Sequence, residues 1–162
     1  RADHAAQLAA FYGFVAPWEE RLAAVLPESD PIRAGRAKSA WLEADLTFFG
    51  YDLASIPRAS GGELPSTDSR AAILGAAYVL EGSTLGGQMI SQHVERTLGL
   101  TGGEGYRFHR SYGRQVGAQW QAFRAELLHA SSPENDATMV QAARATFDRI
   151  HDWFASQKPA VA

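Results

Sequence analysis

Three glycines fall within the six residues Gly82-Ser83-Thr84-Leu85-Gly86-Gly87, inside a longer run from Tyr78 to Ile90 that otherwise favours helix. Each glycine in a helix interior costs about 0.5–1 kcal/mol relative to alanine, so the cluster forgoes roughly 2–3 kcal/mol of helix stability. Gly82 and Gly86 are four apart, which places them on one face and leaves a strip of bare main chain. Such a strip admits either a second helix packed through small residues or a flat cofactor at van der Waals distance. A phosphate-binding loop needs a Gly-Lys-Ser/Thr ending after a strand, which is missing here. A serine nucleophile elbow needs Gly-x-Ser-x-Gly after a strand, whereas Ser83 directly follows Gly82 in a helical pattern.

Other residues offer competing chemistry. Glu126-x-x-His129 and Asp148-x-x-His151 have the i, i+3 spacing of a di-iron carboxylate oxidase, with Glu43 and Glu81 as the further inward carboxylates. Glu81 stands in an apolar run, where a carboxylate is expected to pair with an arginine. Arg107, Arg110 and Arg114, spaced by three and four, share one face of a continuous helix, either solvated or anion-binding, with Arg124 further along. His4 reads as an exposed histidine near the start of a helix, and His93 and His109, flanking the end of the glycine-bearing helix, receive no role. Trp18, Trp41, Trp120 and Trp153 are spaced as core anchors.

The elements that position these residues are helices, and the class is all-α. The chain has 162 residues, enough for one core, and its 46% hydrophobic and 20% charged content excludes disorder. A formal charge of −3 argues against nucleic acid as a partner, and zero cysteines exclude disulfides and Cys-ligated metal. The longest apolar run, residues 71–80, is about half of the ~20 residues that span a bilayer, so no membrane partner and a cytoplasmic location are expected. Hydrophobic periodicity predicts five long helices. The first covers 2–26 and carries Pro17, whose ring presses on the Gly13 carbonyl. The second covers 32–49 and stops at Gly50; a loop follows over 56–65. The third starts behind a cap at Ser66 or Thr67 and runs to Leu98, with Gly99 ending it. The fourth runs from Tyr106 or Phe108 to His129, with a break allowed at Tyr112-Gly113. The last opens on Ser132-Pro133 and turns Met139, Ala143, Phe147, Ile150 and Phe154 inward.

The segment from Tyr78 to Ile90 resembles the distal-helix motif of haem oxygenases, of the bacterial type often paired with phytochromes. Similar stretches extend along the chain: Arg1-Ala2-Asp3 with Leu8 and Pro17-x-Glu19, Arg36-Ala37-Lys38 through Trp41-Leu42 and Asp45-Leu46, Tyr112-Gly113 with Trp120 and Phe123, and Ala143-Arg144-Ala145-Thr146-Phe147. The resemblance implies a single helical domain over 1–162 that cleaves haem oxidatively to biliverdin, carbon monoxide and ferrous iron. Haem would be both prosthetic group and substrate, held between a histidine-bearing proximal helix and a kinked glycine-rich distal helix. Gly82, Ser83 and Gly86 would act at the reaction; Tyr78, Gly87, Arg110 and Arg114 would join them in holding haem, the arginines at its propionates. Ser83, Thr84 and Gln88 would order proton-delivering water, Ser83 standing where some members carry aspartate. No nucleotide fingerprint occurs in the sequence, so electrons are expected from a separate reductase or ferredoxin, with a phytochrome as biliverdin acceptor. By the resemblance the proximal histidine falls upstream of Arg1, which implies an N-terminally truncated chain and leaves His4, at a second-helix position, as the fallback iron ligand. A non-catalytic haem- or tetrapyrrole-binding or interaction protein of the same fold is the alternative from another class.

Overall fold

Pro17 shapes the first element. It lies inside helix α1 (Ala2–Val25) and has no N–H to give the Gly13 carbonyl. That carbonyl instead accepts the Ala59 N–H at 2.8 Å. Gly13 makes the approach feasible, since a Cβ there would stand 2.2 Å from the Pro57 carbonyl oxygen. A computed structural model describes residues 1–157, and all regular elements among them are helical.

Helix α2 spans Ser39–Phe48, shorter than the 32–49 that periodicity predicts. Residues 28–36 form hydrogen-bonded turns, with Gly35 at φ +66°. The helix starts where Glu19, reaching over from α1, accepts the N–H groups of Lys38 at 2.6 Å and Ser39 at 3.2 Å. These are the donors a helix N-terminus leaves unpaired. Helix α3 spans Arg70–Leu98 and ends on Gly99 at φ +63°, as its sequence indicates. Its cap is Ser69, whose hydroxyl accepts the Ala72 N–H at 3.1 Å, and not Ser66 or Thr67. Ser66 donates to Asp68 instead, at 2.6 Å.

The expected fourth helix is two elements. Helix α4 is a single turn, Arg107–Arg110, whose N–H groups at Arg107 and Phe108 are accepted by the buried Asp45 carboxylate at 2.8 and 2.9 Å. Burial pushes that carboxyl up despite the two donors. The chain then passes through Ser111 at φ +48° and Gly113 at φ +56° before helix α5 (Val116–His129) begins. Helix α6 (Pro133–Ser156) opens as its sequence specifies, with Ser132 accepting the Asn135 N–H at 3.2 Å.

The main core joins α1, α3, α5 and α6 through Phe14, Trp18, Leu74, Phe123 and Trp153. A second cluster joins Leu8 and Val15 of α1 to Leu42 and Leu46 of α2. α3 lies against α6 so tightly that a Cβ on Gly75 would stand 2.2 Å from the Met139 carbonyl oxygen. Trp153 Nε1 donates to the Ala10 carbonyl at 2.8 Å, tying α6 to α1. Of the predicted inward stripe on α6, Met139, Ile150 and Phe154 pack on the core, while Phe147 is 57% exposed because Thr146 and Trp153 take the inward line beside it. No helix among the described residues is long and apolar enough to cross a membrane.

The Gly13→Ala variant should lose roughly 1–3 kcal/mol of unfolding free energy, the usual cost of forcing atoms into a packed contact. Urea unfolding followed by circular dichroism measures it.

Candidate functional site

The two sides of α3 treat its glycines differently. Gly87 is buried, and a Cβ there would stand 2.2 Å from the carbonyl oxygen of His109, so its bareness lets α4 pack against α3. Gly86 is exposed, and a Cβ there would meet nothing within 4 Å. Gly82 faces only the Trp120 ring, 3.9 Å from a Cβ. Leu85, Met89 and Ile90 lie beside Gly86 and are exposed, Met89 to 79%, and Tyr78 stands exposed at the Gly82 end. Tyr78 packs at a tilt against Trp120 of α5, with ring centroids 5.6 Å apart, so it borders the open face and does not belong to the core. Bare main chain flanked by uncovered apolar side chains is what a flat, largely apolar ligand requires. The glycine cluster therefore divides: Gly87 serves helix packing, while Gly82 and Gly86 leave an open ribbon.

Directly before that ribbon sits Glu81, 3% exposed. Its carboxylate accepts from Arg36 Nη1 at 2.8 Å, from Lys38 Nζ, and from the Tyr112 hydroxyl at 3.1 and 3.2 Å. The expected arginine partner is present. Lys38 and Tyr112 were not legible, because they are brought in from the turn before α2 and the link after α4. Burial, with Glu81 beside it, pushes the Tyr112 phenol well up, so it stays a donor. A cleft of about 360 Å³ opens between α1 and the turns before α2, beside Leu80 and Glu81. It is lined by charged Glu19, Glu28, Arg33 and Arg36 together with apolar Trp18, Leu22, Ile32 and Leu80, and it does not reach Gly82 or Gly86.

A smaller cavity of about 100 Å³ lies on the Ser83 side of the ribbon, bounded by Gln7, Phe11, Lys38, Ser83, Thr84, Gly87, Ile90, Phe108 and His109. Ser83 Oγ donates to the Leu80 carbonyl at 2.8 Å and Thr84 Oγ1 to the Glu81 carbonyl at 2.6 Å, so both hydroxyl protons are spent within the helix. Their lone pairs stay free to accept. Gln88 does not face this cavity: its amide donates to the Gly113 carbonyl at 2.5 Å and anchors the α4–α5 link on α3.

The remaining candidates disperse. The break after α4 takes Arg114 off the face that Arg107 and Arg110 share. Arg110 is exposed, and its guanidinium lies over Gly103, where a Cβ would stand 2.5 Å from Nη1. His4 Nε2 is engaged with the Gly105 carbonyl at 2.8 Å, and its ring packs on Phe49 and His109, away from the Gly82–Gly86 ribbon's lining residues. The di-iron constellation does not assemble. Glu81 is held by two cations, Glu126 lies 3.7 Å from Arg70, His151 is exposed beside Asp152, and no three metal-ligating side chains come together among the described residues.

The family model described as Heme oxygenase matches residues 2–156. Among solved structures, the NO- and CO-bound heme oxygenase from Neisseria meningitidis is similar in fold, with a TM-score of 0.78 and 23% identity over all of this chain and 80% of that one. No curated protein sequence matches the chain.

Two stability experiments separate the glycines. Gly86→Ala should gain about 0.5–1 kcal/mol of helix propensity, while Gly87→Ala should lose roughly 1–3 kcal/mol against the His109 carbonyl. Denaturant midpoints on the ligand-free protein read both. His109 supplies a pH test. Burial, and secondarily the neighbouring His4, lowers its imidazole from 6.5 to about 4. The unfolded chain therefore takes up this proton at a higher pH than the folded one. Stability is fully present above the unfolded value and falls as pH drops toward 4, by roughly 3 kcal/mol at ~1.36 kcal/mol per unit. His109→Phe should lose that component of the slope in unfolding curves between pH 7 and 4.

Proposed function

Because the chain belongs to the haem oxygenase family, we propose that it binds haem flat against the Gly82–Gly86 ribbon of α3 and cleaves it to biliverdin, carbon monoxide and ferrous iron. The observation that carries this reading is the open side of Gly86, where a Cβ would touch nothing although alanine would serve the helix better. Haem supplies the redox-active iron and is itself the molecule consumed, with electrons from a separate reductase or ferredoxin and a phytochrome as the biliverdin acceptor.

The chain's residues contribute shape and hydrogen-bonding capacity. Gly82 and Gly86 let main chain lie against one porphyrin face, and Leu85, Met89 and Ile90 cover apolar ring edges that would otherwise stay in water. Tyr78 and Trp120 close the Gly82 end. Ser83, exposed beside the ribbon with its proton committed to Leu80, offers lone pairs that hold a water in place; such a water transfers protons without a titrating side chain at that position. Gly87 supports the ribbon from behind through α4. Arg110 and Arg114, both exposed and without an acidic partner among the described residues, are the cations offered to the propionates.

Hemin added to the protein should give a Soret band that saturates at one equivalent, and ascorbate or a reductase should then yield a biliverdin spectrum. Gly86→Leu should abolish the Soret titration while far-UV circular dichroism stays that of wild type, since the leucine enters open space and not a packed contact. Hemin uptake by this variant equal to wild type refutes the ribbon as the haem face. Uptake by wild type without biliverdin identifies a non-catalytic haem carrier.

A further inference from the structure

His109 is 4% exposed, and among the described residues its Nε2 has no hydrogen-bond partner. A buried imidazole nitrogen left unpaired costs about 1–3 kcal/mol, and native proteins seldom tolerate this without an ordered water. The same side chain bounds the 100 Å³ cavity between α1, α3 and α4, which is several times the space one water needs. Polar groups with capacity to spare face that cavity from other elements: the lone pairs of Ser83 and Thr84 and the Gln7 amide. Lys38 also borders it, its ammonium already donating to Arg36, Glu81 and Tyr112. Thr84, Gly87 and His109 are buried and form its inner end, while Gln7, Ser83 and Ile90 are exposed and form its mouth, so a water at His109 sits deeper than one at Ser83. Ser83 is both a cavity wall and an exposed neighbour of the ribbon, so the cavity and the open face share a border.

We propose that this cavity is a built internal water site anchored by His109 Nε2, and that His109, acting through this water, is a positioning residue for the water held at Ser83. Its role in turnover rests on the haem-cleaving function proposed above; its role in holding water does not. The imidazole suits the task because burial keeps it neutral at physiological pH, able to orient a water without placing a second positive charge beside Lys38. It is held in place by the Gly87 contact with its own carbonyl and by the rings of His4 and Phe108, 5.5 and 5.4 Å away.

The experiment has two arms. In the first, a high-resolution crystal structure of the haem-free protein should show a water within about 3.2 Å of His109 Nε2, and the His109→Phe structure should lack it with the helices unmoved. A dry cavity, or a protein partner on Nε2, overturns the proposal whether or not the protein acts on haem. In the second, His109→Phe should bind hemin with unchanged affinity yet turn over about tenfold slower, less than the ~10²–10⁴ of a direct proton donor because His109 works through water. The solvent deuterium isotope effect should rise with it, and His109→Gln should restore most of both. Equal loss in the Phe and Gln variants, or a rate change matched by hemin affinity, overturns the positioning role. Failure of wild type to bind hemin refutes the function proposed above and leaves the first arm decisive for the water site.

Discussion

The structure turns on one buried carboxylate. Glu81 lies next to the glycine ribbon, inside the protein, and satisfies Arg36, Lys38 and Tyr112 at once. Removing one member of a buried ion pair costs about 3–5 kcal/mol, because the remaining charges stay desolvated and unmatched. The carboxylate therefore binds three segments with little helix of their own nearby: the turns of 28–36, the start of α2, and the link from α4 to α5. Arg36 and Lys38 are 7% and 4% exposed, burial that neither would tolerate without Glu81. The register of α3 is fixed by the same contact. With Glu81 turned inward, Gly82 and Gly86 must face the other way.

That register lets one helix meet two opposed demands. α3 has to press close to α6 and α4, and it does so through Gly75 and Gly87, where a side chain would strike main-chain carbonyls. It also has to keep a bare strip open, and it does so through Gly82 and Gly86. Glycine serves both ends for different reasons, and the thermodynamic sign of an added methyl distinguishes them. The hydroxyls of Ser83 and Thr84 bond back to the carbonyls three residues earlier, a contact that competes with the helix's own hydrogen bonds and favours bending where the glycines already leave the main chain weak.

Much of this was readable in the residues themselves. The glycine terminators at Gly50 and Gly99, the Ser132-Pro133 start of α6, the all-helical class and the Gly82–Gly86 strip depend on local chemistry, which the sequence carries directly. What could not be read depends on partners distant in the chain. Residues 32–38 have a helical pattern, yet α2 starts only where Glu19 arrives from α1 to receive its N–H groups. Ser66, Thr67 and Ser69 are all suitable caps, and packing of α3 chose the last. The arginines at 107, 110 and 114 looked collinear until Asp45 nucleated a one-turn α4 that ends at Ser111. Gly87 could not be told from Gly86 by type or spacing, since the difference lies in whether α4 stands behind it.

The bond from Trp153 to the Ala10 carbonyl joins the two ends of the chain across 143 residues, and the same indole closes over Gly13. Contacts so far apart in sequence form late, after the loops between them have been closed. During folding, α1 therefore keeps one flank uncovered until α6 docks on it. Its apolar surface stays open to other chains in that interval, so the seam that closes last is also the one where mispairing has most time to occur.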